Sequence, residues 1–495
     1  MLTVKIMNRI KFIFLVACVF LISVTGASAN EVTQPSTNLQ KEIHFQLLEL
    51  AVANFDKSYY RQYMRMRQSV GTPDYGTELA ISYLMVRNFR NSIRSMSWED
   101  IQNFHFRKHE QQFTTKEVDL YEESIRNGSL EHILRNLRPE IPNYLSYRHE
   151  MIEQLRSTAS EVAPYPFRML KEGSSGKEVD ALKIALQKLG YLDVYSPING
   201  DFDFELTEAV KKFQEDKGLK ADGIVGKLSY DLIFKTHESK AVSIARTIIR
   251  MSDRELYRSP EYVFVNIPKM ELNVYYSNKS VLESKVVVGR FDRQTPRLKS
   301  LIDNVVLNPT WTAPSTISEK DYLPKLRKDR EYLTKKGLTM YYSGYEIDPN
   351  TLTAEDLTPS GIKKFRIVQK PGTGNAMGLY KFNFPNSDSI YLHSTNSPGK
   401  FRGASRMYSS GCVRVQKSDE LAKYLLKDDL KPERVDKIIE SAKTTWLKLS
   451  RKVPIYLAYW TSYIGENGQV YYLPDIYQID SLDDRLPPDL LQSLK

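Results

Sequence analysis

Cysteine is almost absent from this chain. The 495 residues include two cysteines, too few for a disulfide framework or for a thiolate-rich zinc or iron–sulfur site. Long apolar runs are also scarce, and a mean hydropathy of −0.43 excludes a polytopic membrane protein. Compositional bias is lacking too, with 41% apolar and 26% charged residues. What remains is a folded protein of about three domains, at about 150 residues for each.

The one long apolar run has the three parts of an export signal. Three cations within the first eleven residues precede an apolar stretch at 12–24, and small residues follow it up to Ala29. A transmembrane helix requires about 20 apolar residues, and this stretch is shorter. The alternative to a cleaved signal is a membrane anchor that the protein retains. We therefore expect residues 1–29 to be a cleaved signal peptide and the mature chain to have no membrane span.

Export would leave a single thiol. Cys18 would be removed with the signal, so that Cys412 becomes the sole cysteine of the mature chain. A lone thiol cannot form an internal disulfide. It is either a small buried hydrophobic residue, the commoner outcome, or a nucleophile. Composition alone does not decide between the two.

The first mature block, 30–164, is predicted to be a helical scaffold. Apolar residues recur at helical spacing from Leu39 through Ile43 and Leu47. The histidines of this block show no metal-ligand spacing. A stripe of tyrosine and arginine at 59–67 is better explained as a solvated helix face than as a nucleic-acid contact. The residues of this block therefore predict neither a metal site nor a nucleic-acid partner, and by themselves they do not indicate a function.

The second block, 165–237, is predicted to contain three short helices. A proline-rich stretch marks its start, and glycines follow the apolar stripes of the first two helices. None of its residues has the character of a catalyst. The segments GSSGKEVDALKIALQKLGYL (173–192) and NGDFDFELTEAVKKFQEDKGLKADGIVG (199–226) make the block similar to the small peptidoglycan-binding domain of cell-wall enzymes. That resemblance implies peptidoglycan as a partner.

The third block, 258–460, is predicted to be rich in β-strands. Apolar residues alternate with a period of two from its start. A long irregular insert at about 310–370 interrupts it, and such inserts are usually lids or binding loops. Residues 238–257 are predicted to form a helix that returns to the scaffold, and residues 461–495 a C-terminal tail that packs on the scaffold.

Two rare residue types coincide in the third block. Cys412 follows Gly411, and His393, the only histidine after His237, lies 19 positions earlier (412 − 393). An imidazole can accept the proton of a thiol, and the resulting ion pair favours thiolate near neutral pH. A glycine before the nucleophile permits a tight turn and exposes backbone N–H groups to an oxyanion. These residues predict a cysteine nucleophile with a histidine base rather than an unrelated buried pair.

The residues around this pair resemble a known family. The run HSTNSPGKFRGASRMYSSGCVRV (393–415) looks like the active-site signature of L,D-transpeptidases of the YkuD fold. Ser410 stands where shorter members have histidine, and the long Gram-negative-type members share the serine. The resemblance implies a multidomain α+β fold. Its parts would be a helical scaffold, a three-helix peptidoglycan-binding domain and a β-rich YkuD-type catalytic domain with a capping-loop insert.

The resemblance also implies a reaction that needs no metal or cofactor. Cys412 would attack the carbonyl of the diamino acid at stem position 3 of a tetrapeptide donor, with His393 as general base and D-Ala as the leaving group. An amine of a second stem would then resolve the thioester and form a 3→3 cross-link. The further positions that match the lining of the site are Tyr391, Ser394, Ser410, Gly411 and Arg414. Arg414 would either clamp a substrate carboxylate or form a structural ion pair.

The implied location is the periplasm, and the implied partners are stem peptides, glycan strands and cell-wall synthesis proteins. Members of the family are expected to be acylated by carbapenems. Two other functions stay open: an L,D-carboxypeptidase that uses the same site, and a non-catalytic anchor that binds the wall. The acyl acceptor also stays open among a second stem, a lipoprotein lysine and a free D-amino acid.

Overall fold

The computed structural model describes residues 38–494 except 107–111, 130–136, 158–164, 218, 404 and 481–485. The predicted signal peptide therefore lies outside the described residues. In the described part of the chain, no helix has the length and apolar character needed to cross a membrane. Within the same residues, no group of three or more His, Cys, Asp or Glu side chains is arranged to hold a metal ion.

The described part of the first block is helical. Its helices are α1 (Asn38–Ala53), α2 (Lys57–Gln68), α3 (Tyr75–Ile93), α4 (Trp98–Asn103), α5 (Thr115–Arg126) and α6 (Tyr144–Arg156). Side chains cap several of them: Asp56 accepts from the backbone at the start of α2, and Thr114 and Glu117 form a capping box at α5. The predicted apolar stripe is buried, with Leu39 and Leu47 at 0% exposure.

A smaller three-helix unit follows. Its helices are α7 (Lys177–Lys188), α8 (Phe204–Asp216) and α9 (Lys227–Ile233). They enclose a separate apolar core that includes Leu182, Leu206 and Phe213. Lys183 is buried within the unit and forms an ion pair with Asp203 at 2.8 Å. The unit therefore combines a small apolar core with a buried lysine that has a carboxylate partner.

Helix α10 (His237–Met251) returns to the first block and is followed by α11 (Arg254–Arg258). The core of the helical block includes residues of α10 such as Ile244 and Ile248, both at 0% exposure. Arg250 of α10 is also fully buried. Helix α10 therefore packs with the helices that precede the three-helix unit in the chain.

The third block contains two sheets. The strands are β1 (Glu261–Asn266), β2 (Glu271–Tyr276), β3 (Lys279–Gly289), β4 (Lys299–Leu307), β5 (Trp311–Thr312), β6 (Leu338–Tyr342), β7 (Tyr345–Ile347), β8 (Arg366–Gln369), β9 (Tyr380–Asn383), β10 (Leu392–His393), β11 (Met407–Ser409), β12 (Val413–Val415) and β13 (Thr445–Ala458). The larger sheet has the order β11-β3-β12-β10-β9-β4-β13-β1-β2, and β2 also pairs with β3. Because β2 pairs with β3, the strands from β3 to β2 form a closed ring, and β11 lies outside it on β3. Alternate residues of these strands fill its core.

The insert is more ordered than the sequence predicted. Strands β5 to β8 form a second sheet in the order β5-β8-β6-β7, where we had expected an irregular loop. Ser343 and Gly344 turn the β6–β7 hairpin at φ angles of 46° and 91°, which is the geometry of a two-residue hairpin turn. Residues 315–335 of the insert form short helical pieces rather than one continuous helix. These are α12 (Ser315–Ile317), a π-helical turn (Ser318–Tyr322), α13 (Leu323–Leu326) and α14 (Tyr332–Lys335).

The last elements contact both the sheet and the helical block. Helices α15 (Ser418–Leu425) and α16 (Pro432–Glu440) precede β13, and the chain then forms a hairpin of β14 (Ser462–Ile464) and β15 (Val470–Tyr472) before α17 (Pro488–Gln492). Leu490 of α17 lies in the core of the helical block. Asp480 forms an ion pair with Arg250 at 2.6 Å. The helical regions and the β-rich third block confirm the predicted α+β fold class.

Candidate active site

Strand pairing brings the predicted nucleophile and base to neighbouring strands. β10 and β12 are parallel, with Leu392 beside Val413 and His393 beside Arg414. Val413 N donates to Tyr391 O at 3.2 Å, which continues the pairing by one step. Leu392 and Val413 are both fully buried in the core of the sheet.

The residues that alternate with this buried pair face the opposite side of the sheet. Side chains point to opposite faces at successive strand positions. Tyr391, His393, Cys412 and Arg414 therefore share one face. The ring centroids of Tyr391 and His393 lie 5.6 Å apart in an edge-to-face arrangement. Five of the seven predicted site residues thus lie together, since Gly411 directly precedes Cys412.

The nucleophile candidate follows a turn that requires glycine. Gly411 has a φ of 118°, a conformation that residues with a Cβ rarely adopt. A Cβ at this position would also lie 3.1 Å from Ile390 Cδ1. The Gly411 carbonyl accepts a hydrogen bond from Thr295 Oγ1 at 2.7 Å. Both the conformation and the orientation of the peptide that leads into Cys412 are therefore restrained.

The electrostatic surroundings keep both candidate groups neutral. Burial raises the pKa of the Cys412 thiol, and contacts with Tyr391, Lys381 and Arg414 offset part of that rise. Burial is also the largest cause at His393, where with the charges of Arg414 and Lys381 it lowers the pKa to about 3. Among the described residues, no hydrogen bond joins Cys412 Sγ to the imidazole; Sγ lies 4.0 Å from Ser389 O.

This resting state differs from the thiolate–imidazolium pair that the sequence led us to expect. Burial penalises both charged forms, and two neighbouring cations disfavour a third on His393. A neutral imidazole can still accept a proton. His393 Nδ1 is buried and has no hydrogen-bond partner in the described part of the chain. Catalytic hydrogen bonds are often long before substrate binds, so this geometry is compatible with a base role.

Lys381 is a site residue that sequence reasoning missed. It lies opposite His393 in the antiparallel pair β9–β10 and therefore on the same face as Cys412. Its Nζ is 4.3 Å from the centroid of the Tyr391 ring. In the sequence Lys381 is one lysine in a strand of alternating polar and apolar residues. Only the strand register shows that it lies beside the site. Over the described residues, neither Lys381 nor Arg414 forms an ion pair with a carboxylate.

Tyr391 connects the site to the insert. Its side chain packs against the insert core that contains Trp311. Burial raises the pKa of the Tyr391 phenol, and the neighbouring Cys412 adds to that rise. The phenol is therefore protonated near neutral pH. It can donate a hydrogen bond toward the thiol or toward a substrate.

Ser410 and Ser394 have surroundings different from those of the other predicted residues. Arg293 donates to Ser410 Oγ at 2.9 Å and forms a bidentate ion pair with Asp321 of the insert at 2.7 and 2.9 Å. Ser394 N donates to Tyr380 O at 2.9 Å. The Ser394 side chain lies so close to Gly378 that a Cβ there would approach its Oγ to 2.6 Å. Ser410 thus links the nucleophile turn to the insert, whereas Ser394 packs against a neighbouring loop.

Two regions of this chain match known protein domains. Residues 260–439 match YkuD, the L,D-transpeptidase catalytic domain. Residues 175–232 match the "Putative peptidoglycan binding domain". Residues 260–439 are therefore similar to the catalytic domain of L,D-transpeptidases, and a region similar to a peptidoglycan-binding domain precedes them in the chain. Both matches confirm the resemblance predicted from the sequence.

A relative with a related name is also similar to this chain. The chain is 40% identical over 237 residues to a protein of Haemophilus influenzae named "Putative L,D-transpeptidase". The alignment covers 47% of this chain and 48% of that relative, so the chain spans about half the length of the curated relative it matches.

Solved structures of L,D-transpeptidases from Xylanimonas cellulosilytica and Stackebrandtia nassauensis are also similar. They are 15% and 16% identical, each covers 60% of this chain, and the matches cover 100% and 97% of those chains. Their TM-scores are 0.17 and 0.19. Values this low do not establish a shared fold, and the assignment rests on the two domain matches.

Proposed function

We propose that this protein is a peptidoglycan L,D-transpeptidase that forms 3→3 cross-links with Cys412 as nucleophile and His393 as general base. The observation that supports this proposal best is the strand register, which places the sole described cysteine and His393 on one face of adjacent strands. Both residues lie within 260–439, the region that matches the L,D-transpeptidase catalytic domain. Gly411, whose conformation suits a nucleophile turn, precedes the thiol.

The proposed reaction has two acyl-transfer steps. In the first, His393 takes the thiol proton as Cys412 Sγ attacks the carbonyl of the diamino acid at stem position 3. The tetrahedral intermediate then collapses to a thioester as His393 returns the proton to the leaving amine of D-Ala. In the second step, an amine of another stem attacks the thioester, loses its proton to His393 and releases the thiol.

Two kinds of group would stabilise the charges that develop. The backbone N–H groups at Gly411 and Cys412 would bind the oxyanion. Lys381 and Arg414 would stabilise the thiolate, since their positive charges lower the pKa of Cys412 and thus reduce the opposing effect of burial. Because neither cation has a carboxylate partner among the described residues, either one could also hold a carboxylate of the stem peptide.

The insert supports transfer to an amine over hydrolysis. Its ordered sheet and core pack against Tyr391, and Asp321 reaches the nucleophile turn through Arg293. A covered site excludes water, which otherwise competes for the thioester. The same chemistry with water as acceptor would give an L,D-carboxypeptidase, which is the second candidate function.

The remaining parts of the chain would place this site at the cell wall. We propose a signal peptide at 1–29, a scaffold at 30–164 with its return helix at 238–257, and a wall-binding unit at 165–237. A catalytic domain at 258–460 and a tail at 461–495 complete the division. The proposed location is the periplasm, with stem peptides and glycan strands as ligands, cell-wall synthesis proteins as further partners and carbapenems as acylating inhibitors.

Intact-protein mass spectrometry with purified tetrapeptide muropeptides would test the proposal. We expect a transient acyl adduct on the wild type, release of D-Ala and cross-linked dimers. Cys412→Ser, which keeps a hydroxyl in place of the thiol, should show none of the three. An adduct with tripeptide as the sole product would replace the transpeptidase with a carboxypeptidase. No adduct, together with retained binding to sacculi, would indicate the non-catalytic anchor.

A further inference from the structure

Thr295 lies at the centre of a buried cluster of hydrogen bonds beneath the nucleophile turn. It is 0% exposed. Its Oγ1 donates to Gly411 O at 2.7 Å and accepts from Gly289 N at 2.8 Å. The hydroxyl therefore joins the end of β3 to the peptide that precedes Cys412. Its one proton is used on Gly411.

The C-terminal segment completes this cluster. Thr295 N donates to Tyr477 Oη at 3.1 Å, and Tyr477 Oη donates to Gly289 O at 2.8 Å. Tyr477 is 3% exposed, so these partners have no access to bulk water. The Tyr477 hydroxyl thus holds both the backbone of Thr295 and the carbonyl at the end of β3.

Tyr477 is in turn held by its own neighbours. Tyr477 N donates to Tyr459 Oη at 2.7 Å, and the two rings stack with centroids 5.7 Å apart. Tyr459 Oη donates to Asp475 at 2.6 Å. Asp475 also accepts from the backbone of Ile479 and Asp480 at 2.9 and 2.7 Å. The segment 475–480 therefore has one closely defined conformation.

The same segment is attached to the helical block. Arg250 of α10 donates to the Asp480 carboxylate at 2.9 and 2.6 Å, and Thr461 donates to it at 2.5 Å. Arg250 is 0% exposed. A continuous set of buried hydrogen bonds thus leads from a scaffold helix, through the C-terminal segment, to the turn that precedes Cys412.

We propose that Thr295 and Tyr477 are positioning residues that orient the Gly411–Cys412 peptide for acyl transfer. The proposal rests on the proposed role of Cys412 and adds that the C-terminal segment 475–480 is part of the support of the active site. This segment lies outside residues 260–439, which carry the catalytic-domain match. The catalytic domain as matched would therefore lack a required component.

The physical basis is the planarity of the peptide bond. In a trans peptide the C=O and N–H groups point in opposite directions, so the hydrogen bond to Gly411 O also sets the direction of Cys412 N–H. No described residue accepts a hydrogen bond from Cys412 N–H. Glycine at 411 leaves the backbone free to rotate. Without Thr295 the N–H would therefore sample several directions and stabilise an oxyanion less well.

Three variants test the proposal with p-nitrophenyl acetate, which acylates a thiol without a stem peptide. We expect Thr295→Val to slow acylation of Cys412 about tenfold or more, and Tyr477→Phe to slow it at least about threefold. Thr295→Ser keeps the hydroxyl and should restore the rate to within about threefold of the wild type. Alkylation by iodoacetamide forms no oxyanion, so its rate should stay within about threefold in all variants.

Tyr424→Phe is the matched control. It removes a hydroxyl that donates to Glu261 at 2.5 Å in the same domain but has no connection to the nucleophile turn. The proposal fails if Thr295→Val keeps the wild-type acylation rate, if Thr295→Ser does not restore it, or if acylation and alkylation fall together. Release of D-Ala from tetrapeptide is measured in parallel. Its absence in a wild type that still reacts with the ester would contradict the proposed function and leave the positioning proposal standing.

Discussion

Replacing Asp480 with asparagine should destabilise the protein strongly. The carboxylate lies between two buried cations, with Arg250 at 2.6 Å and Arg246 at 3.4 Å. Asp480→Asn keeps the shape of the side chain and removes its charge, so both buried guanidinium groups lose the carboxylate with which they form ion pairs. Breaking a buried ion pair from one side costs about 3–5 kcal/mol. We expect a loss of that size in the free energy of unfolding.

The dependence of stability on pH has a definite sign. Burial raises the pKa of Asp480, but Arg250 and Arg246 outweigh burial and hold the pKa well below its usual range. A carboxyl whose pKa is lowered in the folded state stabilises that state above its unfolded pKa, about 3.9. That stabilisation is lost as pH falls from about 4 toward the lower folded pKa. The wild type should therefore lose its advantage over Asp480→Asn in acid.

Guanidinium denaturation at pH 7 and at pH 3 measures both effects. Glu331→Gln is the control, because its ion pair with Lys335 is exposed at the surface, with side-chain exposures of 61% and 57%. Exposed pairs contribute about 0–1 kcal/mol. A loss below about 1 kcal/mol for Asp480→Asn at pH 7, or a difference from the wild type that does not shrink at pH 3, would refute this reasoning.

Three further variants probe the site itself. Lys381→Met should raise the pKa of Cys412 further, because the substitution removes a cation that lowers this pKa. Alkylation of Cys412 by iodoacetamide at pH 8 should therefore slow. Equal pH–rate profiles for the variant and the wild type would contradict this prediction. Gly411→Ala forces a residue with a Cβ to a φ of 118° and should cost about 1–3 kcal/mol of stability with a marked loss of acylation, measured by denaturation and by D-Ala release. Asp321→Asn removes the charge that holds Arg293 and should raise KM for the tetrapeptide severalfold with a change in stability below about 1 kcal/mol; an unchanged KM would show that this contact does not shape the site.

Local sequence patterns carried enough information for the fold class and the family. Helical spacing from Leu39 onward and period-two alternation from 258 onward reflect the geometry of helices and strands, and burial in the structure follows both patterns. The signature around Cys412 and the three-helix unit lie within short stretches of chain. The rarity of cysteine and histidine was sufficient to select Cys412 and His393 as candidates, and their catalytic roles stay predictions.

Local patterns were insufficient where pairing is long-range. The sheet of the insert joins strands from Trp311 to Gln369, and the sequence gives no register for such pairs, so an irregular loop was the wrong expectation. Lys381 has no feature of its own that marks it. It becomes a site residue because β9 pairs with β10 in a register that places it opposite His393.

Only the tertiary structure determines the charge states of Cys412 and His393 and the hydrogen bonds that hold the nucleophile turn. The sequence shows a thiol and an imidazole but not their burial, and burial with two nearby cations is what keeps both neutral. Tyr477 lies 182 positions from Thr295, so no local pattern can connect them. Residue types and periodicity are properties of the chain, whereas pKa shifts and buried hydrogen bonds depend on which distant segments exclude water from one another.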